Sequence, residues 1–403
     1  MRIASNIIET IKAKADIVEV IGEYVHLTKK GQNFIGLCPF HNDSTPSLTV
    51  SSAKGIYKCF ACDASGDVIK FLQEYLNISF VEAVKMLAKK YGVEIPEDSY
   101  SSIGDEDQRK RESMFIINDY ASKYYAENLF ADTDEARKAL YYATNRWPQD
   151  FIRTFGIGYA SNSWDSFSLW ANGKGLDKDL LVELGLVKKK SMSNDVYDTF
   201  RGRIMIPVRD KQHRIIAFTA RLLPDILAHD PNAPKYINSS TSLIYDKGNS
   251  LFGIDVAWNV ASKAGVMNLV EGAPDVMRLQ VIGASNTVAP LGSSWTEAQL
   301  SMLKRITDRL NIIPDSDIPK EGEHFGVGFT SAMRTGKLAL SLGFIVTIQE
   351  IPIGDWKNDP DSYLVSKDKL DELTRQDFVM WYASKVINLN GENIPQQAKA
   401  IHE

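Results

Sequence analysis

Two short turns confine the amino-terminal part of this chain more tightly than any other feature: C-P-F-H at residues 38–41 and C-F-A-C at 59–62, with seventeen residues between them. A Cys-x-x-Cys or Cys-x-x-His knuckle presents two ligand atoms from one tight turn. Two such knuckles on neighbouring hairpins close a tetrahedron of soft sulfur and borderline nitrogen, which suits Zn²⁺. The spacing is close to that of a zinc ribbon, and Cys38, His41, Cys59 and Cys62 are the expected ligands. Four protein ligands leave no open position, so such an ion is structural. The chain has three cysteines, all inside the pattern, which is too few for a disulfide framework.

The stretch between the knuckles, "SLTVSSAKGIYKCF", alternates apolar and polar residues around Lys54-Gly55 and predicts a half-buried hairpin. Lys29, Lys30, Phe34, Tyr57, Lys58 and Phe60 bring rings and cations together there. That mixture suits stacking and phosphate contact with single-stranded nucleic acid, although the same rings could simply pack the ribbon. Helical spacing through "GDVIKFLQEYLNISFVEAVKMLAKKYGVEIP" closes a first domain over 1–96. The charged, serine-rich 97–113 reads as a linker. Residues 114 to about 186 read as helices, and β-branched runs mark strands from Arg201, giving one subdomain over 114–264. Beyond Gly265 short apolar strands alternate with helices, which argues a parallel sheet with crossover helices over 265–365, then a short helical segment over 366–403.

Ligands of parallel sheets bind at the carboxyl ends of the strands. In this chain those ends are acidic: "VMNLV" leads to Glu271, "LNIIP" to Asp315 and Asp317, and "FIVTIQEIP" is followed by Asp359 and Asp361. Clustered carboxylates are hard oxygen ligands for Mg²⁺ or Mn²⁺. The whole chain carries a formal charge of −5, which does not mark a nucleic-acid binder. Residues 201–247 run the other way, with Arg201, Arg203, Arg209, Lys211, Arg214, Arg221, Lys235 and Lys247 against four aspartates, a net +4. Such a tract attracts phosphates. No apolar run approaches the ~18 residues of a membrane span. The amphipathic amino end lacks the apolar core of a secretory signal, so no membrane partner and a cytoplasmic location are expected.

Taken in order, these motifs resemble the DnaG-type DNA primases of bacteria and their phages over nearly the whole chain. "DIVEVIGEYVHLTKKGQNFIGLCPFHNDSTPSLTV" with "YKCFACDASGDVIKFL" resembles the family's zinc-binding domain, "FGIGYASNSWD" and "FRGRIMIPVRD...PKYINS" its RNA polymerase core, and 265–365 its TOPRIM subdomain. The resemblance implies an α+β multidomain architecture: an N-terminal zinc ribbon, a mixed α/β basic subdomain, a TOPRIM parallel-sheet α/β subdomain and a short C-terminal helical segment. It also implies template-directed synthesis of short RNA primers on single-stranded DNA from ribonucleoside triphosphates, by metal-assisted nucleotidyl transfer, with a replicative helicase as partner.

Carried over by residue, Glu271 matches the family's general acid or base, with Asp275 at the family spacing behind it. Asp315 and Asp317 match the D-x-D metal ligands, and Asp359 and Asp361 the last acidic pair. The resemblance thus implies Glu271, Asp315, Asp317 and Asp359 as ligands of Mg²⁺ or Mn²⁺ and all five acids as catalytic. Arg146, Arg221, Lys235, Asn238 and Lys247 fall at template and nucleotide contacts, and Arg201 and Arg203 of the basic tract join them. The chain departs from the family pattern at "EGAPD", at "NRWPQD", and in an apparent insertion after Asp317 that would put Lys320 or His324 near the metals. It also ends without the family's helicase-binding domain. A TOPRIM nuclease or topoisomerase, and a non-catalytic single-strand-binding module, are the alternative readings.

Overall fold

The computed structural model describes residues 5–94 and 102–390, apart from 42, 44, 77, 79, 191–194, 320, 322–323 and 355–357. The chain divides into two compact units, Met1–Glu112 and Ser113–Glu403.

The first unit is an antiparallel sheet dressed by helices. Five strands pair in chain order: Thr28–Lys30, Asn33–Gly36, Leu48–Ser51, Ile56–Cys59 and Ser65–Gly66. The expected hairpin turns at Gly55, whose φ of 61° is the left-handed conformation that glycine adopts without strain. Its register pairs Leu48 with Cys59 and Val50 with Tyr57, so all four bury on one face. Helices Ser5–Lys14, Ile17–Gly22, Val68–Leu76 and Phe80–Lys90 supply the opposing layer. Asp16 caps the second of these, its carboxylate accepting the N–H of Val18 at 2.8 Å. Phe71 lies in the middle of the core, edge-on to Phe40 and Tyr57 and stacked on Tyr75.

The second unit holds two larger sheets. An antiparallel sheet runs in the order Tyr236–Asn238, Ile215–Leu222, Arg203–Arg209, Gly158–Ala160. Its last strand lies in a stretch whose sequence reads as helical. Gly158 explains the difference: a Cβ there would meet the Tyr125 backbone at 2.4 Å, so the helix Ser102–Leu129 crosses this strand at a glycine. The expected linker overlaps that helix from Ser102 onward, while 95–101 fall outside the described residues.

The other sheet has six strands, in the order Leu251–Phe252, Thr287–Pro290, Met267–Leu269, Arg309–Ile312, Ile345–Gln349, Arg375–Asp377. The four central strands are parallel, as expected, with helices Ala273–Val281, Glu297–Leu303 and Val327–Ser341 in the crossovers. Both edge strands are antiparallel, so the sheet is mixed. One edge belongs to the carboxy-terminal segment, expected to be helical, and the helix Phe378–Asn390 follows it. Phe378 packs where a Cβ on Gly336 would strike its ring, which ties that helix to Val327–Ser341. Residues 391–403 are outside the described ones.

A buried amide ladder crosses the centre of this sheet. Asn311 donates to Asn268 Oδ1 at 3.0 Å and to Gln349 Oε1 at 2.8 Å, and Gln349 donates to the Leu373 carbonyl at 2.9 Å. Among the described residues no helix is long and apolar enough to cross a membrane.

Candidate metal centres and nucleic-acid interface

The two knuckles converge. The ligand atoms of Cys38, His41, Cys59 and Cys62 all lie within 4.8 Å of one another. Cys38 Sγ is 3.8 Å from Cys62 Sγ, and Cys59 Sγ is 3.9 Å from His41 Nδ1. Bonds of about 2.3 Å at tetrahedral angles separate two sulfurs by about 3.8 Å, so the donor set fits zinc in size as well as in chemistry. Burial pushes the Cys38 thiol well above its ordinary range, and a bound cation would favour the thiolate.

Asp43, which the motif reading passed over, supports this site. Its Oδ2 accepts the Cys38 N–H at 2.8 Å and the Ser47 hydroxyl at 2.5 Å, and its Oδ1 stands 3.7 Å from His41 Nε2, the ring nitrogen opposite the ligand atom. Burial alone would raise the Asp43 carboxyl, but these donors with the N–H groups of Ser47 and Thr45 outweigh it and hold its pKa at about 2.

Of the rings expected at the nucleic-acid surface of this unit, Tyr57 is fully buried and donates its hydroxyl to Glu74 at 2.8 Å. It belongs to the core. Phe34 is half-buried, whereas Lys29 and Lys30 are exposed and Phe60 stands 72% exposed with Lys58 over its ring.

In the second unit the parallel register sets the acids side by side. Leu269 pairs with Ile312 and the Ile313 N–H bonds to the Leu269 carbonyl, so Glu271 and Asp315 leave adjacent strands at the same level. The third acidic segment arrives by an isolated bridge: Ser316 donates to the Asn358 carbonyl at 2.8 Å, and Asn358 donates back at 3.2 Å. Asp359 therefore stands next to the D-x-D turn. It also caps the helix Pro360–Tyr363, accepting the Ser362 N–H at 2.8 Å.

Asp275 is buried beneath the group, accepting the N–H of Gly272 at 3.0 Å and of Asp361 at 3.1 Å. Burial first, then the charges of Asp315, Asp359 and Glu271, push its pKa well above the usual carboxylate range. Four carboxylates thus share one field. They do not close to ligand spacing: among the described residues only the Cys/His group has three or more ligand atoms within 4.8 Å of each other.

Two glycines settle how the chain resumes after the insertion. A Cβ on Gly328 would lie 2.2 Å from the Asp315 carbonyl, and one on Gly326 would lie 2.4 Å from that of Asp317. The helix Val327–Ser341 therefore starts pressed against the D-x-D backbone, and the Gly328 N–H donates to Asp317 Oδ2 at 2.8 Å. Lys320 is outside the described residues. His324 lines a cleft of about 670 Å³ with Trp295 and Arg334, whose described lining includes none of the acids.

The eight cations of the basic tract do not share a face. Arg203 is buried and aims its guanidinium at the carbonyls of Ala220 and Lys235, so it is out of reach of a phosphate. Arg201 lies 3.9 Å over the Trp164 ring, Lys211 3.5 Å over that of Trp258, and Arg214 pairs with Asp210. Arg209 donates to the Phe155 carbonyl at 2.7 Å. Lys235 and Lys247 are exposed, and Arg221 is half-buried. Asn238 donates to the Leu291 carbonyl at 2.9 Å, and the Lys247 stem passes Gly292, so both reach the loop after the strand Thr287–Pro290, beside Glu271. Arg146 and Asp361 form an ion pair with each other.

A zinc-clasped antiparallel unit joined in one chain to a core whose mixed sheet carries acids at its carboxyl edge defines a metal-binding α/β class of the TOPRIM kind. The CHC2 zinc finger family matches residues 3–102, and the DNA primase catalytic core, N-terminal domain, matches 124–258. A DNA primase of Clostridium acetobutylicum is 36% identical over 364 residues, covering 90% of this chain and 57% of that protein. The zinc-binding and RNA polymerase domains of the Aquifex aeolicus primase, at 30% identity, superpose with a TM-score of 0.58 over 98% of this chain and 90% of that structure. A DnaG primase catalytic domain solved bound to single-stranded DNA, 25% identical, gives 0.57 over 72% of this chain and 84% of that one. The chain belongs to the DnaG-type DNA primase family. It spans 57% to 63% of the length of the curated relatives it matches.

Proposed function

We propose that this chain synthesises short RNA primers on single-stranded DNA, joining ribonucleoside triphosphates by nucleotidyl transfer in the bacterial cytoplasm beside a replicative helicase. The observation that carries this reading is the Ser316–Asn358 bridge, because it draws the third acidic segment against the D-x-D turn at the ends of parallel strands. The naming of the relatives as DNA primases supports it. In this reading 1–96 helps to select the start site, 114–264 holds template and nucleotide, 265–365 carries the chemistry and the strand Arg375–Asp377 of the last segment completes the sheet.

Glu271, Asp315, Asp317 and Asp359 would hold Mg²⁺ or Mn²⁺; the ions supply activation of the attacking 3′-hydroxyl and neutralisation of the departing pyrophosphate. The donor set fits in chemistry, not yet in spacing: Glu271, Asp315 and Asp317 follow neighbouring parallel strands and Asp359 is bridged to them, and burial first, then the charges of Asp315, Asp359 and Glu271, push Asp275 towards its neutral form. Glu271 would receive the hydroxyl proton. Lys247, Asn238, Lys235 and Arg221 orient phosphates along the adjoining rim, while exposed Phe60, Lys58, Lys29 and Lys30 offer the template a stacking and phosphate-contact surface.

Primer synthesis from labelled ribonucleotides on mixed-sequence single-stranded DNA tests the reading. Native protein with Mg²⁺ or Mn²⁺ is expected to give short RNA, and Glu271→Gln and Asp315→Asn at least ~100-fold less. No product from the native protein under either metal, with DNA binding intact, would count for a binding module.

A further inference from the structure

We propose that Arg278, which no motif of the sequence includes, is a positioning residue that fixes Arg146 as one arm of a two-arginine phosphate clamp. The inference rests on the primase reading. Arg278 projects from the helix Ala273–Val281, with its side chain only 15% exposed. It donates to the Arg146 carbonyl at 2.6 Å and to the Asp361 carbonyl at 2.9 Å, and its Nε stands 3.5 Å from Asp361 Oδ1. Asp361, 4% exposed, pairs through Oδ2 with the Arg146 guanidinium. Arg278 thus holds Arg146 twice, at its backbone and through Asp361.

The held guanidinium has a counterpart. Arg146 donates to the Tyr142 hydroxyl at 2.9 Å and lies 5.6 Å from the centre of that ring. Arg221 lies 5.3 Å from the same ring and donates to the Tyr236 hydroxyl at 2.6 Å. Among the described residues the ion pairs of Arg146 and Arg278 both go to Asp361, so three guanidiniums in one partly buried place meet a single paired carboxylate. Like charges gathered this way repel until an anion joins them, and the planar forks match the oxygens of a phosphate. Arg278 already donates its Nε and Nη2 to the Asp361 and Arg146 carbonyls, which leaves Arg146 and Arg221 as the arms. Asp361 is committed to guanidiniums and acts through Arg146.

The test uses the whole chain with Arg278→Gln, Arg278→Lys, Arg146→Lys, Asp361→Asn and the double Arg278→Gln/Arg146→Lys, each first checked for an intact thermal transition. The readouts are kcat and KM for ribonucleotide, half-saturating Mg²⁺, and the binding of a labelled single-stranded oligonucleotide and of labelled GTP. Arg278→Gln and Arg146→Lys are each expected to lose about tenfold or more in kcat/KM, with the double no worse than either, because one acts through the other. Asp361→Asn should leave half-saturating Mg²⁺ at the native value, whereas Asp315→Asn should raise it.

If the anion is a template phosphate, oligonucleotide affinity falls and its salt slope drops by ~0.7. If it is the nucleotide's polyphosphate, KM and GTP binding change while that slope does not. Additive losses, native behaviour in both single variants, or an Asp361→Asn shift in Mg²⁺ requirement like that of Asp315→Asn would overturn the clamp. Should the native chain make no primer, the primase reading fails, and the same cycle in oligonucleotide and GTP binding decides the clamp alone: non-additive losses support it, and additive or absent losses overturn it. Where Arg278→Gln does not fold, Arg278→Lys carries the cycle, since one ammonium keeps the charge but cannot reach both Asp361 and the Arg146 carbonyl.

Discussion

Asp43 shows how much a metal site depends on a residue that touches no metal. One carboxylate ties the Cys38 knuckle to Ser47 and stands behind His41. Asp43→Asn keeps its size but loses the charge that four donors converge on, and zinc affinity is expected to fall about 10- to 100-fold. Competition with a chromophoric chelator measures this, and unchanged affinity would reduce Asp43 to a turn residue. The four ligands themselves were legible in the sequence because metal geometry imposes a spacing that few other constraints mimic. Asp43 was not, since an Asp two residues past a knuckle also serves ordinary turns. Tyr57 and Arg203 misled for a similar reason: type and position are visible in a sequence, whereas the face on which a strand residue lands depends on pairing partners far along the chain.

Among the elements, the central strands of the mixed sheet were recognisable from their apolar runs, and their order and edges were not. The two antiparallel edges have no local signature: Leu251–Phe252 and Arg375–Asp377 are too short for alternation to show. The Asn268–Asn311–Gln349 ladder was equally hidden, because one amide in "VMNLV" or "LNIIP" reads as an interruption of a strand rather than as a rung. All three amides are buried, so each rung is obligatory. Asn311→Leu removes the donor to both Asn268 Oδ1 and Gln349 Oε1, and a loss of about 2–3 kcal/mol in the stability of the second unit is expected by denaturant titration. A neutral result would mean that the neighbouring amides re-pair with each other. The strand Gly158–Ala160 belongs here too, since only the crossing at Tyr125 reveals why glycine is required in what reads as a helical stretch.

For the whole molecule, two compact units with separate cores imply two separable stabilities. The first owes part of its stability to zinc, because four ligands on two knuckles tie its hairpins together, whereas among the described residues the second unit has no such cluster of ligand atoms. Chelation should therefore abolish the thermal transition of the first unit and leave that of the second within a few degrees of its original position. Calorimetry with and without EDTA resolves the two, and a concerted loss of both would show that the units fold as one.

The bridge between Ser316 and Asn358 also orders events in time. Glu271, Asp315 and Asp317 emerge from synthesis well before residue 358, and their strands can pair with each other as soon as Arg309–Ile312 is available. Closing the loop to Asn358 brings a segment from some forty residues downstream into a single pair of hydrogen bonds, the kind of non-local contact that forms late. The acidic centre thus gathers only after the four central strands of this sheet have paired, so a growing chain carries the parallel scaffold before it carries the assembled acids.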